Sequence, residues 1–178
     1  SHEYLYLYAK SFSTIAERGI SWKVKKEGLE EIYRKYDELK RKYGDDYAQM
    51  TEELKKWYAS LPEGHPSKAH RHYCNVDARG IYFASDISRG GGGGPKFDVI
   101  NPLTGNKVKV PSRGWSYSTP EEMAEAIKND MIHFTPDDGV PCQKRYLKDN
   151  ETQLIESVFY KDRQAASIEL RQLFNRNI

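Results

Sequence analysis

The sequence has few cysteines, a low apolar fraction and no long apolar run. Two cysteines, Cys74 and Cys142, are too few for a disulfide framework, so free thiols are expected. No apolar run approaches the ~20 residues of a membrane-spanning helix, so we expect no membrane partner and a cytoplasmic location. Apolar residues make up only 38% of the chain, but the 12% of aromatic residues can still build a core.

The sequence also lacks a complete set of catalytic residues, since no Ser/His/Asp or Cys/His arrangement is evident. His70, His72 and Cys74 alternate along the chain, so on a strand they would lie on one face, where they could bind zinc with Cys142 as a fourth ligand. They lack the close ligand pair of common zinc sites, so partly buried side chains without a metal are expected. The run Gly90–Gly94 is not followed by the Lys-Ser/Thr of a nucleotide-binding P-loop, which excludes that motif.

Positive charge is concentrated in the middle of the chain. The net charge is only +2, but residues 70–115 hold seven basic side chains against three acidic ones. The basic residues are Arg71, Arg79, Arg89, Lys96, Lys107, Lys109 and Arg113, and the acidic ones are Asp77, Asp86 and Asp98. Any single cation is more often a solvated surface charge, but their grouping around the glycine run favours a polyanionic partner.

Two amphipathic helices are predicted before this segment. Apolar residues recur every three or four positions over 27–43 and again from Tyr47 to Leu61, with Gly44 between them. Asp45 or Asp46 caps the second helix. So short a turn predicts an antiparallel helical hairpin, which serves either as a scaffold or as an arm that binds a partner.

The period then changes to two, which predicts short strands at 81–83, 97–100, 107–110, 131–134 and 143–147. Residues 97–110 are expected to form a hairpin, and the five glycines before it a flexible loop. A helix is predicted from Pro120 to about Asn129. Near the two ends of the sequence, a strand is expected at 2–10 and a helix at 162–174. The fold class predicted is α+β, with a helical hairpin, a small mixed or antiparallel sheet and flanking helices.

The order of motifs resembles a known family. Asp77-x-Arg-Gly-x-Tyr, the glycine run, Pro102 to Trp115 ending in Arg-Gly-Trp, and Pro141 to Leu147 ending in Lys-Arg-Tyr-Leu resemble the insert of type III restriction–modification Mod subunits. These are β-class adenine-specific DNA methyltransferases. The opening His-Glu-Tyr-Leu-Tyr-Leu-Tyr-Ala-Lys and the last residues resemble the points where such an insert leaves and rejoins the catalytic domain.

The resemblance implies a target-recognition domain that reads double-stranded DNA. The family's catalytic motif DPPY and cofactor motif FxGxG do not occur here. The chain is therefore expected to be a fragment that is not itself an enzyme and binds no cofactor, while S-adenosylmethionine would bind the parent. The resemblance also implies a division of the chain into four segments. Residues 1–20 and 151–178 would belong to the methyltransferase domain, 21–62 would form the helical hairpin, and 63–150 would form the DNA-recognition core.

No catalytic or metal-binding residue is predicted, but ten DNA-contacting residues are. Phosphate contacts are expected from Arg79, Arg89, Lys96, Lys107, Lys109 and Lys144, and groove contacts from Arg113, Trp115, Tyr82 or Tyr146. An alternative function is a protein-interaction module, in which the hairpin docks a restriction subunit or a second methyltransferase. A free-standing RNA-binding or nuclease domain is disfavoured by the lack of an acidic cluster.

Overall fold

The computed structural model describes residues 10–19 and 23–154, and the strand and helix expected at 2–10 and 162–174 lie outside them. The chain divides into two units, one of Ser1–Val24 with Thr152–Ile178 and one of Lys25–Glu151. The described part has four α-helices and six strands in two antiparallel sheets, which confirms the α+β fold class. None of its helices is long and apolar enough to cross a membrane. The division into four segments stays a prediction.

The first unit is described only in part. Helix α1 (Phe12–Glu17) begins at Ser11, whose Oγ accepts a hydrogen bond from the backbone N of Thr14 at 3.3 Å. Strand β1 (Lys23–Lys25) pairs with β6 (Thr152–Leu154) in a two-stranded sheet, and Lys25 is already the first residue of the second unit.

The predicted helical hairpin is confirmed. Helix α2 (Leu29–Tyr43) ends at Gly44, and α3 (Tyr47–Ser60) begins at Asp46, whose carboxylate accepts from the N of Gln49 at 3.0 Å. The apolar stripes of both helices are buried in a first core together with residues from the sheet and the segment before it. Its members are Leu29, Ile32, Leu39, Met50, Leu54, Tyr58, Tyr73, Val76, Ile81 and Leu147.

A four-stranded antiparallel sheet packs on this hairpin. Its strands are β2 (Asn75–Asp77), β3 (Gly80–Asp86), β4 (Ile132–His133) and β5 (Cys142–Tyr146), in the order β2-β3-β5-β4. The register pairs Tyr82 with Tyr146 and Ala84 with Lys144. Side chains two apart share a face, so these residues and Asp77 lie on the face opposite to Val76 and Ile81, which enter the first core. Short 3₁₀ helices at Pro66–His70 and Leu147–Asp149 flank the sheet.

Residues 87–115 form a layer of loops, here called the loop layer, whose buried side chains contribute to a second core. Helix α4 (Pro120–Lys128) packs against it and lies where a helix was predicted. Thr119 caps this helix, since its Oγ1 accepts from the N of Glu122 at 3.2 Å. The core consists of Ile87, Val99, Val108, Trp115, Met123 and Ile132.

The two regular strands predicted at 97–100 and 107–110 are wrong, although their segments do form a hairpin. Val108 N donates to Val99 O at 2.9 Å and Asn101 N donates to Asn106 O at 2.8 Å, but the ladder stops there. Lys109 N donates to Asp138 O at 2.9 Å, which takes it away from the neighbouring segment. Lys107 and Lys109 are exposed and Val108 is buried, as the alternation predicted.

The last residue of the glycine run, Gly94, is tied to the segment 113–115 by its backbone, while a Cβ on Gly90 to Gly93 would meet nothing within 4 Å, and the flexibility expected of the run stays a prediction. Gly94 N donates to Arg113 O at 2.9 Å, and Trp115 N donates to Pro95 O at 2.9 Å. A Cβ on Gly114 would lie 2.1 Å from Gly94 O, and one on Gly94 would lie 2.5 Å from Trp115 O. The backbones approach so closely that side chains are excluded, so glycine has a packing role here.

Candidate nucleic-acid interface

Three of the predicted cations are exposed and make no side-chain bond within residues 10–19 and 23–154. They are Arg89, Lys96 and Lys109, all in the loop layer. Arg89 N donates to Gly114 O at 2.9 Å, which fixes the backbone under its side chain next to the glycine run. Free ammonium and guanidinium groups on an ordered backbone are suited to phosphate oxygens.

Three further predicted cations, Lys107, Arg113 and Arg79, are exposed but already bonded. The Lys107 Nζ lies 2.6 Å from a carboxylate oxygen of Asp98. Arg113 Nη2 donates to Asp86 Oδ2 at 2.8 Å and to Ser88 Oγ at 2.5 Å. Because both forked edges of a guanidinium that can bind a base include Nη2, a bidentate contact of Arg113 with guanine requires it to leave these acceptors.

The Asp86 carboxylate that holds Arg113 is itself well bonded. Hydrogen bonds from the Ser88 hydroxyl and backbone N, together with the nearby guanidinium, hold its pKa below the usual range. Asp86 therefore stays ionised at neutral pH and fixes the orientation of Arg113. The side chain of Arg79 is also bonded within the fold, since its Nη2 donates to the backbone oxygen of Asn129 at 2.7 Å.

Four predicted contact residues are buried inside the fold, which corrects their assignment. Trp115 has 0% exposure, and its Nε1 donates to Phe97 O at 3.0 Å. The Tyr82 hydroxyl lies 2.8 Å from His133 Nδ1, and the Tyr146 hydroxyl donates to Asp77 Oδ2 at 2.7 Å. Lys144 is buried beside them. Their aromatic and basic character suggested a surface, but in this conformation they cannot contact a duplex.

Asp77 and Lys144 form the centre of a polar cluster on the sheet face away from the helical hairpin. Lys144 Nζ lies 2.9 Å from Asp77 Oδ2 and 2.8 Å from Asp130 Oδ1. The side chains of Lys144 and Asp77 are only 9% and 18% exposed. Asp77 Oδ1 also accepts from the N of Arg79 at 2.9 Å in the turn that joins β2 to β3, and its ion partner is Lys144.

The cluster shifts the protonation of its members. Burial raises the pKa of Asp77, but hydrogen bonds from Lys144 and Tyr146 lower it by more, so the net pKa lies below the usual range. Burial lowers the pKa of His133, and the neighbouring Lys144 lowers it further, which favours a neutral imidazole beside Tyr82. With an ionised Asp77 and a satisfied Lys144, the cluster acts as a structural anchor between β2 and β5.

The cluster gives stability a dependence on pH in the acid range. The Asp77 pKa is depressed on folding, so its contribution is present above its unfolded pKa of about 3.9 and is lost as pH falls through the folded value. We expect Asp77→Asn to destabilise the protein by about 2 kcal/mol at pH 7, with the difference from wild type shrinking below pH ~4. Urea unfolding at several pH values measures it. A difference that stays constant down to the acid limit would contradict the ionised pair.

Arg145 is a surface cation that the sequence reading passed over. It lies in β5 between the buried Lys144 and Tyr146, its side chain projects to the opposite face of the strand, and it is exposed. The alternation in Gln-Lys-Arg-Tyr-Leu was visible in the sequence, but it does not say which of the two faces is buried. In the register Arg145 lies opposite Phe83, on the face that holds Val76 and Ile81, and the burial on that face does not reach Arg145 in β5.

The histidines and cysteines considered as metal ligands have other surroundings. His70 Nε2 lies 3.0 Å from Glu27 O, and the His72 ring packs edge-on against Phe83 with 5.1 Å between centroids. Burial raises the pKa of both Cys74 and Cys142, so neither is an activated thiolate. Among the described residues, no group of three or more His, Cys, Asp or Glu side chains is arranged to hold a metal ion.

Comparison with protein-family models gives no match, and comparison with curated proteins gives none either. The function is therefore inferred from the fold and from the surface that it presents.

Proposed function

We propose that this chain is a DNA-binding target-recognition domain of a site-specific adenine-N6 DNA methyltransferase belonging to a restriction–modification system. Double-stranded DNA is its partner, and the catalytic domain of the parent supplies the methyl transfer. S-adenosylmethionine would bind that domain, because the FxGxG motif is absent from this sequence and no residue here is assigned to the cofactor.

The observation that carries the proposal is the set of free cations in the loop layer. Arg89, Lys96 and Lys109 are exposed and lack side-chain partners in the part of the chain that the structure describes. An isolated surface cation is ordinary, but three unpaired cations on one hydrogen-bonded loop layer supply positive charge that phosphates can use. The family-like order of motifs supports DNA, and specifically a duplex read beside the catalytic domain, as the polyanion.

The interface is tested with the triple variant Arg89→Gln, Lys96→Gln and Lys109→Gln. We expect affinity for a labelled duplex to fall at least tenfold at low salt. The slope of log affinity against log salt should decrease by about one for each cation that contacts a phosphate. Fluorescence anisotropy at several salt concentrations measures both quantities. Wild-type protein that fails to bind at low salt, or whose affinity is insensitive to salt, overturns the proposal.

A matched control removes the same charge elsewhere. Arg34, Lys55 and Lys56 are exposed cations of the helical hairpin, each paired with a glutamate. Their replacement by Gln is expected to change affinity less than threefold, and an equal loss in both triple variants would contradict the loop layer as the interface.

Selection from a duplex pool with a randomised window then tests whether the protein recognises a particular DNA sequence. Enrichment of an adenine-containing motif supports target recognition, whereas no enrichment reduces the function to non-specific binding.

A further inference from the structure

The tip of the hairpin in the loop layer presents an apolar side chain to solvent. Leu103 is 65% exposed and Ile100 is 52% exposed, and the other exposed large apolar residues described, Val24 and Leu154, lie in the other unit. Leu103 follows Pro102 in the turn between the two hairpin segments, where Gly105 N donates to Asn101 O at 2.8 Å. The described part of the Lys25–Glu151 unit thus has its exposed large apolar residues on this one turn.

A hydrogen-bond network around the buried Asn101 supports the turn. The Asn101 side chain has no exposure, and its Oδ1 accepts from the N of Leu103 at 3.0 Å. Its Nδ2 donates to Asp138 Oδ1 at 2.7 Å and to Thr135 O at 2.9 Å. Asp138, at φ 53°, also accepts from the side chains of Thr104 and Asn106. A turn fixed by so many bonds loses little entropy when its tip is inserted into a partner.

The charges beside the tip indicate the partner. Lys109 is exposed on the returning segment of the same hairpin and has no side-chain bond among the residues described, whereas the exposed Lys107 Nζ lies 2.6 Å from a carboxylate oxygen of Asp98. An apolar tip next to cations fits a ligand with a charged backbone and an apolar stacked interior, which is the chemistry of a nucleic-acid duplex. Apolar side chains inserted between base pairs unstack a step at the expense of a few kcal/mol and bend the helix.

We propose that Leu103 is an apolar wedge that enters a base step of duplex DNA while the neighbouring Lys109 contacts the backbone. The inference rests on the proposed DNA-binding function and adds a deformation of the duplex to it. Hydrogen bonds from Asn101 and Asp138 hold the turn that carries Leu103, so we expect the unstacked step to lie at one position in the bound duplex.

The test uses the 178-residue chain and duplexes of the selected sequence, each with 2-aminopurine at a different position. Wild type is expected to raise the fluorescence at one base step. Leu103→Ala should lose most of that increase while keeping the salt-dependent binding within several-fold of wild type, and Leu103→Met should restore it. Leu154→Ala, which truncates an exposed apolar residue elsewhere, is expected to leave the signal unchanged.

The outcomes separate the two proposals. Wild type that binds no duplex rejects the DNA-binding function and the wedge together. Wild type that binds without a fluorescence increase at any position, or an increase that Leu103→Ala leaves intact, rejects the wedge alone and retains the function. Thermal melting of Leu103→Ala is expected to match wild type, since the side chain is exposed.

Discussion

Replacing Lys144 with methionine is expected to destabilise the protein by about 3 kcal/mol or more, because it leaves the Asp77 carboxylate without its cation in a largely buried site. The Lys144 side chain is 9% exposed, and its Nζ lies within 3 Å of both Asp77 and Asp130. Methionine fills a similar volume, so the loss is electrostatic rather than a cavity effect. Urea unfolding followed by circular dichroism measures the change in the free energy of unfolding.

Two companion variants identify the cause of this loss. Lys109→Met removes an exposed lysine that has no side-chain bond among the described residues and is expected to change stability by less than about 0.5 kcal/mol. Adding Asp77→Asn to Lys144→Met removes the orphaned charge and is expected to recover part of the lost stability, since removing both ions of a buried pair is less harmful than removing one. If Lys144→Met is no less stable than Lys109→Met, the cluster is not an anchor.

The helices were the most predictable part of the fold. Their signals are local: the apolar stripe of α2, the Asp46 cap of α3 and the Thr119 cap of α4 each depend on residues within a turn or two. Strands β3 and β5 also followed from the alternation, although β3 proved longer than expected and β4 shorter.

The candidate site was less predictable because its contacts are distant in sequence. Asp77 and Lys144 are 67 positions apart, and only the β2-β3-β5 order brings them together. Without that order, Lys144 is one lysine in a basic strand, and Tyr82 and Tyr146 are aromatic residues that suit a groove as well as a core. The close approach of Gly94 to Gly114 is equally invisible in sequence, so the packing role of this one glycine of the run was not predicted.

Fewer of the predicted contact residues are available to a partner than the sequence indicated. Ten residues were expected to contact DNA, and four of them are buried. Arg79, Lys107 and Arg113 are exposed but bonded, which leaves Arg89, Lys96 and Lys109 as the predicted cations without a side-chain partner among residues 10–19 and 23–154. Since buried residues hold the loop layer in place, mutations of buried and exposed residues should have different effects. The former change stability, and the latter change affinity and its dependence on salt.

Trp115 separates these two kinds of effect, and Trp115→Ala is expected to destabilise the protein by about 3–5 kcal/mol. The indole is fully buried in the second core, and its Nε1 donates to Phe97 O. Truncation leaves a large cavity and an unsatisfied carbonyl. Because α2 and α3 belong to the first core, hydrogen exchange is expected to show lost protection at Gly94 and Trp115 N while the amides of the hairpin helices stay protected.

The conservative variant Trp115→Phe tests whether this residue has any direct role in binding. It keeps most of the apolar volume but loses the hydrogen bond to Phe97 O, so a milder destabilisation of about 1–3 kcal/mol is expected. At a temperature where this variant is fully folded, its affinity for duplex DNA should equal that of wild type, because a buried indole makes no contact with the ligand. A folded Trp115→Phe protein with affinity reduced tenfold or more would instead mean that the loop layer opens on DNA and exposes Trp115 to the groove, as its sequence context first indicated.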